Sequence, residues 1–159
     1  MKRIAVSCGL VLLVAASAWA QSSPAGQAKV TLNGKSISIA YGRPSLRGRD
    51  MLGRLEVGVT WRMGANDPTT LTTDANLSFG AVQVPAGTHT LTAKRLAEDK
   101  WQLLVTGTDK ATALEIPLVK SELSESVEML TIELKGQGSS GEFQMMWGTT
   151  ALKAPFSVS

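Results

Sequence analysis

The chain has 159 residues, of which 43% are hydrophobic, with 16 Lys and Arg against 13 Asp and Glu, one His and one Cys. This length suits one domain and excludes a multi-domain enzyme, and the hydrophobic content excludes a wholly disordered chain. Two of the basic residues, Lys2 and Arg3, lie in a segment that we predict to be removed, which leaves 14 basic and 13 acidic residues. Such a balanced charge gives no reason to expect nucleic acid as a partner.

The first twenty residues have the three parts of a secretory signal peptide. A positive head is followed by an apolar stretch at residues 4–16, and Ala18-Trp19-Ala20 supplies the small-x-small cleavage pattern. We predict cleavage after Ala20, a secreted or periplasmic location and no stable membrane insertion afterwards, because the apolar stretch is too short to span a bilayer. The alternative is a lipoprotein lipidated at Cys8, but the expected Leu is missing before Cys8 and the apolar stretch follows it. Cleavage after Ala20 would leave a chain without cysteine and therefore without disulfides.

After the signal peptide, the chain has the pattern of a single β-domain. Residues 21–28 form a polar tail that we expect to be flexible, and residues 29–159 form the domain. Fifteen Thr residues, repeated alternation of Val, Ile and Leu, and frequent Gly favour short strands over helices. Asn33-Gly34 predicts a tight hairpin turn between the first two strands, because both residues readily adopt positive φ angles.

The remaining elements follow at a spacing typical of sandwiches and barrels. A long loop at residues 42–55, with one helical turn near residues 49–52, precedes a strand at 57–62, and residues 121–129 are predicted to form a connecting loop or a single turn. The other predicted strands lie at 71–73, 77–79, 82–84, 88–95, 101–105, 114–119, 127–134, 143–147 and 152–158. We predict an all-β fold, a single antiparallel β-sandwich of jelly-roll-like type with about ten short strands and less than about a tenth helix. Nine side chains are expected in its core: Ile37, Ile39, Val59, Trp61, Leu91, Leu103, Val105, Ile132 and Phe143.

Several segments carry recognisable motifs. They are YGRPSLRGR at residues 41–49, WRMGAN at 61–66, VPAGTHTL at 84–91, VEMLTIEL at 127–134 and MMWGTTALKAPF at 145–156. In this order and spacing the chain resembles a bacterial family known as domain of unknown function 2911, for which the RPS…GR and WRMGAN elements are the most specific. The resemblance covers nearly the whole chain after the signal peptide. It implies an exported all-β protein without an assigned activity.

The sequence contains no recognisable catalytic constellation. His89 is the one histidine and falls within a predicted strand, and no nucleophile-elbow motif is present, so we interpret it as a half-buried structural imidazole. One His and, after cleavage, no Cys strongly disfavour a zinc site, and Asp67 and Asp74 lie at predicted turns, where such side chains cap their own backbone. We therefore predict no catalytic residue, no metal and no cofactor, and an enzyme is the less favoured class.

Arginine is distributed unevenly along the chain. Five arginines lie within twenty residues that contain no lysine and only two acids: Arg43, Arg47, Arg49, Arg54 and Arg62. A guanidinium pairs bidentately with carboxylate or phosphate and stacks on aromatic rings, and β-sandwiches place their sites on long loops. We predict a ligand site at Arg43, Arg47, Arg49, Trp61, Arg62 and Asn66. Within it, Arg43, Arg62 and Asn66 are expected to face one shared pocket.

Three classes of function remain open from the sequence. The first is a binding protein whose arginine-rich loop takes a small anion, a glycan or a protein partner of the envelope. The second is a hydrolase-like enzyme with a cleft of carboxylates and arginines. The third is a structural interaction module, in which Arg43 and Arg62 pin the loop onto the sheet with Glu128 as a partner. A glycan platform would need at least two exposed and coplanar rings among Trp61, Trp101 and Trp147, for which core or rim packing is the other interpretation.

Overall fold

The computed structural model describes residues 22–159, so the predicted signal peptide and its cleavage site lie outside the described residues. Within the described part the chain forms ten β-strands and no helix, and hence no helix that could cross a membrane. The strands are β1 (Ala25–Leu32), β2 (Lys35–Gly42), β3 (Thr60–Trp61), β4 (Thr70–Thr73), β5 (Leu77–Phe79), β6 (Val82–Val84), β7 (Gly87–Ala97), β8 (Lys100–Gly107), β9 (Ala113–Gln137) and β10 (Ser140–Val158). Every pair of neighbouring strands is antiparallel, which confirms the predicted all-β antiparallel fold.

The first hairpin forms as its Asn-Gly turn predicts. Asn33 and Gly34 have φ angles of 48° and 73°, and β1 and β2 pair over their whole lengths. However, β1 begins at Ala25, so residues 25–28 of the expected flexible tail belong to the sheet. This strand is difficult to see in the sequence because it lies at an edge of the sheet, and most of its side chains are exposed or half-buried.

The last two strands are much longer than predicted. Residues 113–118 of β9 pair with β8, and residues 119–122, 127 and 131–137 pair with β10. The strand β9 therefore belongs to both halves of the sheet, the half from β1 to β8 and the half from β10 to β6. The prediction of a connecting loop or a single turn at residues 121–129 was therefore wrong. These side chains are exposed or half-buried on both faces, so they lack the apolar alternation that marks a strand. The two strands predicted for the end of the chain likewise join into β10, across a register shift at Gly148.

The two halves of the sheet enclose one apolar core. The strand order is β1-β2-β4-β7-β8-β9-β10-β5-β6, with β3 added on β7. Side chains from both halves, such as Ile37, Leu103 and Phe143, meet around a void of about 10 Å³. This volume is too small for a ligand, unlike the interior of a ligand-binding barrel. Any binding site in the described chain therefore lies on its surface.

The core matches the sequence prediction except beside the arginine-rich loop. Seven of the nine expected core residues are buried: Ile37, Ile39, Leu91, Leu103, Val105, Ile132 and Phe143. Val59 is instead 50% exposed and Trp61 is half-buried, because the strand expected at 57–62 is reduced to Thr60–Trp61. Gly58, with a φ of 86°, turns the chain just before this strand. The helical turn expected near residues 49–52 is replaced by non-helical turns at 51–54.

Candidate functional site

The end of β2 and the polypeptide that follows it seal an open edge of β9. The Tyr41 hydroxyl accepts a hydrogen bond from the backbone N–H of Ile132 at 2.9 Å and donates one to the carbonyl of the same residue at 3.4 Å. Arg43 donates from Nε to the Leu130 carbonyl at 3.1 Å and from Nη2 to the Thr131 hydroxyl at 3.0 Å. These two side chains therefore satisfy backbone groups that a neighbouring strand would otherwise pair.

Backbone hydrogen bonds extend this seal along β9. The Leu130 N–H donates to the Pro44 carbonyl at 3.0 Å, and the Leu46 N–H donates to the Glu128 carbonyl at 3.0 Å. The Glu128 carboxylate in turn accepts the backbone N–H of Arg47 at 2.9 Å. Glu128 is thus recruited to the loop by a backbone amide, and not by a guanidinium as the structural interpretation expected.

Arg43 and Arg47 line the same open groove. The groove has a volume of about 540 Å³, and Pro24, Ser22, Ser23 and Ser45 also contribute to its lining. Its N-terminal wall is held in place, because the Pro24 carbonyl accepts the Arg43 N–H at 2.8 Å. In addition, the Ser23 carbonyl accepts a hydrogen bond from the Asn66 amide at 2.9 Å. The groove therefore combines two guanidiniums with serine hydroxyls on a fixed backbone, which are groups that recognise oxyanions.

No arginine of the loop forms an ion pair within the described chain. Between residues 22 and 159 the ion pairs are Lys120–Asp99 and Lys135–Glu133, and neither involves an arginine. The guanidiniums of Arg43, Arg49 and Arg62 donate instead to carbonyl or hydroxyl oxygens. Such bonds satisfy N–H groups but leave the positive charge in place. The groove is therefore lined by two guanidiniums that have no ion-pair partner in the described chain.

The other predicted site residues lie outside this groove. Arg49 donates from Nε to the Leu46 carbonyl at 3.0 Å and lines a neighbouring groove. Arg62 is exposed and donates to the carbonyl of Asn66, which lines a third and smaller groove. Arg43, Arg62 and Asn66 therefore do not line one pocket in the described chain, and Asn66 supports the Arg43 groove only indirectly.

The tryptophans form no exposed stacking platform in the described chain. The rings of Trp61 and Trp147 stack on each other, with centroids 5.7 Å apart and planes inclined by 12°. Trp147 and Trp101 are both buried, and Trp147 Nε1 donates to the Glu128 carbonyl at 3.2 Å. Trp61, a predicted site residue, therefore packs at the base of the loop as a half-buried ring.

Arg95, which lies outside the predicted site, holds the later part of the loop. Its Nη1 donates to the carbonyls of Leu55 at 3.1 Å and Gly53 at 3.3 Å, and its guanidinium carbon lies 5.9 Å from the centroid of the Trp101 ring. The sequence contains one signal for such a role, because a long irregular loop needs donors for its carbonyls. Which residue supplies the donors depends on the pairing of β7, and the sequence does not show that pairing.

The enzyme alternative from the sequence is a hydrolase-like cleft of carboxylates and arginines. Between residues 22 and 159 no carboxylate is buried, and no cluster of three or more His, Cys, Asp or Glu is placed to hold a metal ion. His89 is buried on β7, with Nε2 2.8 Å from the Pro85 carbonyl. That hydrogen bond gives the imidazole a structural role in joining β7 to the turn that precedes it.

Comparison with known proteins identifies a family for this chain. The model of a family described as "Protein of unknown function (DUF2911)" matches residues 23–156. No curated protein and no solved structure matches the chain. The matched region includes the segment that seals β9, both arginines of the groove, and Arg95.

Proposed function

The chain belongs to the DUF2911 family, and we propose that this member is an exported protein that binds a small anionic ligand, such as a phosphorylated or carboxylated sugar. One observation carries the proposal. Arg43 and Arg47 line the same open groove, and neither forms an ion pair within residues 22–159. Export rests on the signal peptide predicted at residues 1–20.

The two arginines would contribute to binding in different ways. Arg43 is half-buried and fixed by its hydrogen bonds to Leu130 and Thr131, so its charge is preorganised. The Arg47 side chain is exposed, and no hydrogen bond of its guanidinium is present within residues 22–159. It is therefore available to close on an anion.

The backbone at Arg47 also supports a role for its side chain. Arg47 has a φ of 50°, a left-handed conformation that disfavours residues with a Cβ and that glycine adopts without strain. The hydrogen bond from the Arg47 N–H to Glu128 helps to hold this conformation. A strained residue that points a charged side chain into a groove is typical of a binding site.

A thermal-shift titration tests the proposal. Phosphate, citrate and acidic sugars should raise the melting temperature of the wild type beyond a chloride control at equal ionic strength. A ligand at a concentration of about 100 times its Kd would stabilise the protein by about 2.7 kcal/mol. The shift should be lost in Arg47→Ala and retained in Arg54→Ala, a matched control because Arg54 is exposed in the same loop but outside the groove. If no anion raises the wild-type melting temperature beyond chloride, the proposal is wrong.

The variant Arg47→Gly separates binding from stability. Glycine relieves the left-handed backbone, so the free energy of unfolding without ligand should rise by about 1 kcal/mol. The anion-dependent shift should nevertheless disappear, because the guanidinium is gone. A variant that is more stable but no longer responds to anions cannot be explained by damage to the fold.

A structural interaction module is the second candidate. It is favoured by the hydrogen bonds of Arg43, Arg49 and Arg62 to carbonyl and hydroxyl oxygens, since these bonds stabilise the loop without any ligand. In this case Arg43→Met would destabilise the protein and no anion would stabilise the wild type. The same titration therefore distinguishes the two candidates.

A further inference from the structure

The segment that seals β9 presents alternate side chains to the groove of Arg43 and Arg47. Ser45 pairs with Met129 through a β-bridge, so the segment is extended at this point. Successive side chains of an extended chain point to opposite faces, and the buried Leu46 points into the core. Arg43 and Ser45 therefore share the outer face, which agrees with their place in the lining of the groove.

Arg47 follows this extended segment at a tight turn. The turn is closed by the Arg49 N–H, which donates to the Leu46 carbonyl at 3.1 Å. Its central residues, Arg47 and Gly48, have φ angles of 50° and 74°. Two successive positive φ angles closed by such a hydrogen bond are typical of a type I′ turn, which favours Asn, Asp and Gly at its centre. An arginine is unusual at this position, yet it lines the groove, so the Ser45 hydroxyl lies between two guanidiniums along the chain.

A second serine lies beside Ser45 on the N-terminal wall of the groove. The hydrogen bond from the Arg43 N–H to the Pro24 carbonyl continues the pairing of β1 with β2 by one residue. The same register brings Ser22 opposite Ser45, and both line the groove. Two hydroxyls and two guanidiniums therefore line one surface, and the backbone of three neighbouring segments holds them there.

The acidic residue of β9 beside this segment lines a different groove. Glu128 precedes Met129 on β9, so alternation directs its side chain to the other face, where it lines a groove with Asp50. In the described chain, the lining of the Arg43 groove includes no acidic residue. A doubly charged anion would therefore meet positive charges and hydroxyl groups on this face.

We propose that the anion bound in this groove is a phosphate monoester, such as a sugar phosphate. The inference rests on the proposed function and narrows its ligand. A phosphate monoester carries about two negative charges at pH 7 and three acceptor oxygens, which match two guanidiniums and two hydroxyls. A carboxylate has a single charge and two oxygens, so it would leave some of these donors without a partner. The groove volume of about 540 Å³ leaves room for the sugar beside the phosphate.

Isothermal titration calorimetry with glucose-6-phosphate and glucuronate, at equal ionic strength, tests this choice of ligand. The two ligands share a pyranose ring, and the sugar phosphate should bind the wild type about tenfold more tightly, because it accepts more charge-assisted hydrogen bonds. Arg47→Ala should weaken the binding of both ligands, because each needs the guanidinium.

The variant Ser45→Ala tests the hydroxyl between the arginines. It should weaken binding of the sugar phosphate about fivefold and that of glucuronate less, because a carboxylate can be satisfied by the guanidiniums alone. Its melting temperature without ligand should match that of the wild type, because the hydroxyl faces the groove and not the core. Ser126→Ala is the matched control, since Ser126 is exposed and lines the neighbouring groove.

Two results would overturn the phosphate assignment and leave the anion site in place. One is glucuronate binding to the wild type as tightly as the sugar phosphate, and the other is a Ser45→Ala variant that binds both ligands like the Ser126→Ala control. If neither ligand binds the wild type and inorganic phosphate does not bind either, the proposed function fails together with this inference.

Discussion

The long loop between β2 and β3 is attached to the sheet in two different ways. Residues 43–47 pair with β9 through both backbone and side chains, with Arg43 and Glu128 each contributing polar contacts. Residues 53–59 depend mainly on Arg95, which contacts them through its guanidinium and through its carbonyl, the acceptor of the Gly58 N–H at 2.8 Å. The first part is therefore continuous with the sheet, whereas the polar contacts of the second part with the sheet come mainly from Arg95.

The arginines of the two parts have different surroundings. In the first part, sealing the edge of β9 places Arg43 and Arg47 along one groove, so under the proposed function the same contacts would support both stability and anion binding. In the second part the Arg95 guanidinium donates hydrogen bonds to backbone carbonyls. The side chains of Val57 and Val59 in this part are exposed. A guanidinium whose N–H groups all donate to carbonyls stabilises the loop. A guanidinium that faces an open groove can in addition bind an anion.

The largest expected effect comes from filling the space beside Gly42, where the first part of the loop leaves β2. A Cβ at this position would lie 2.0 Å from the carbonyl oxygen of Ala65 in the WRMGAN segment. Gly42→Ala should therefore lower the free energy of unfolding by about 3 kcal/mol, as measured by urea denaturation. Gly48→Ala is the control, because Gly48 has a φ of 74° and no atom near its Cβ, so only a backbone cost of about 1 kcal/mol applies. Equal losses in the two variants would contradict the close approach.

Removing the Tyr41 hydroxyl should have the next largest effect. Tyr41→Phe keeps the ring but leaves the N–H and carbonyl of Ile132 without their side-chain partner. We expect a loss of about 2 kcal/mol in the free energy of unfolding, together with faster hydrogen exchange of the Ile132 amide. Unchanged exchange at Ile132 would show that the hydroxyl does not seal this edge.

The elements that could be predicted from sequence are those with a local signal. Asn33-Gly34 predicted a turn because both residues readily adopt positive φ angles. Apolar residues alternate with others through Ile37 and Ile39, and this pattern predicted a strand because only one of its faces meets the core. Residues 121–129 have no such face, so only the pairing of Ser121, Glu122 and Val127 with β10 shows that they belong to a strand. Local pattern identifies a strand only where burial is one-sided.

For the same reason, the sequence indicated only part of the side-chain grouping at the candidate groove. The uneven distribution of arginine identified the loop, and Arg43 and Arg47 do share a groove. The partners that Arg43 uses on β9 depend on strand register, which composition does not reveal. Arg95 was missed because its carbonyl partners lie 40 and 42 residues earlier in the chain. Contacts across a sheet are decided by topology and not by nearby residues.

Loss of the Arg95 guanidinium should loosen only the second part of the loop. Arg95→Met keeps an aliphatic chain beside Trp101 but removes the donors to Gly53 and Leu55, so a loss of about 1 kcal/mol is expected. Hydrogen exchange should become faster at residues 53–59 and stay unchanged at residues 43–47. Arg54→Met, an exposed change in the same loop, provides the control. Faster exchange in both parts would mean that the loop opens as one unit.

The smallest effect concerns the turn beside Arg95, where Asp99 pairs with Lys120. The hydrogen bond and charge of Lys120, with a smaller contribution from Arg95, hold the pKa of Asp99 below its usual value. Because the folded-state pKa is the lower one, the pair stabilises the fold above the unfolded-state pKa of about 3.9, and this contribution is lost as the pH falls through the folded-state pKa. Asp99→Asn should therefore lower the melting temperature slightly at neutral pH and low salt, and the difference should vanish in strong acid. High salt should also reduce the difference, because Asp99 is exposed and its charge is screened. If the difference persists in strong acid or at high salt, the ion pair between Asp99 and Lys120 is not its cause.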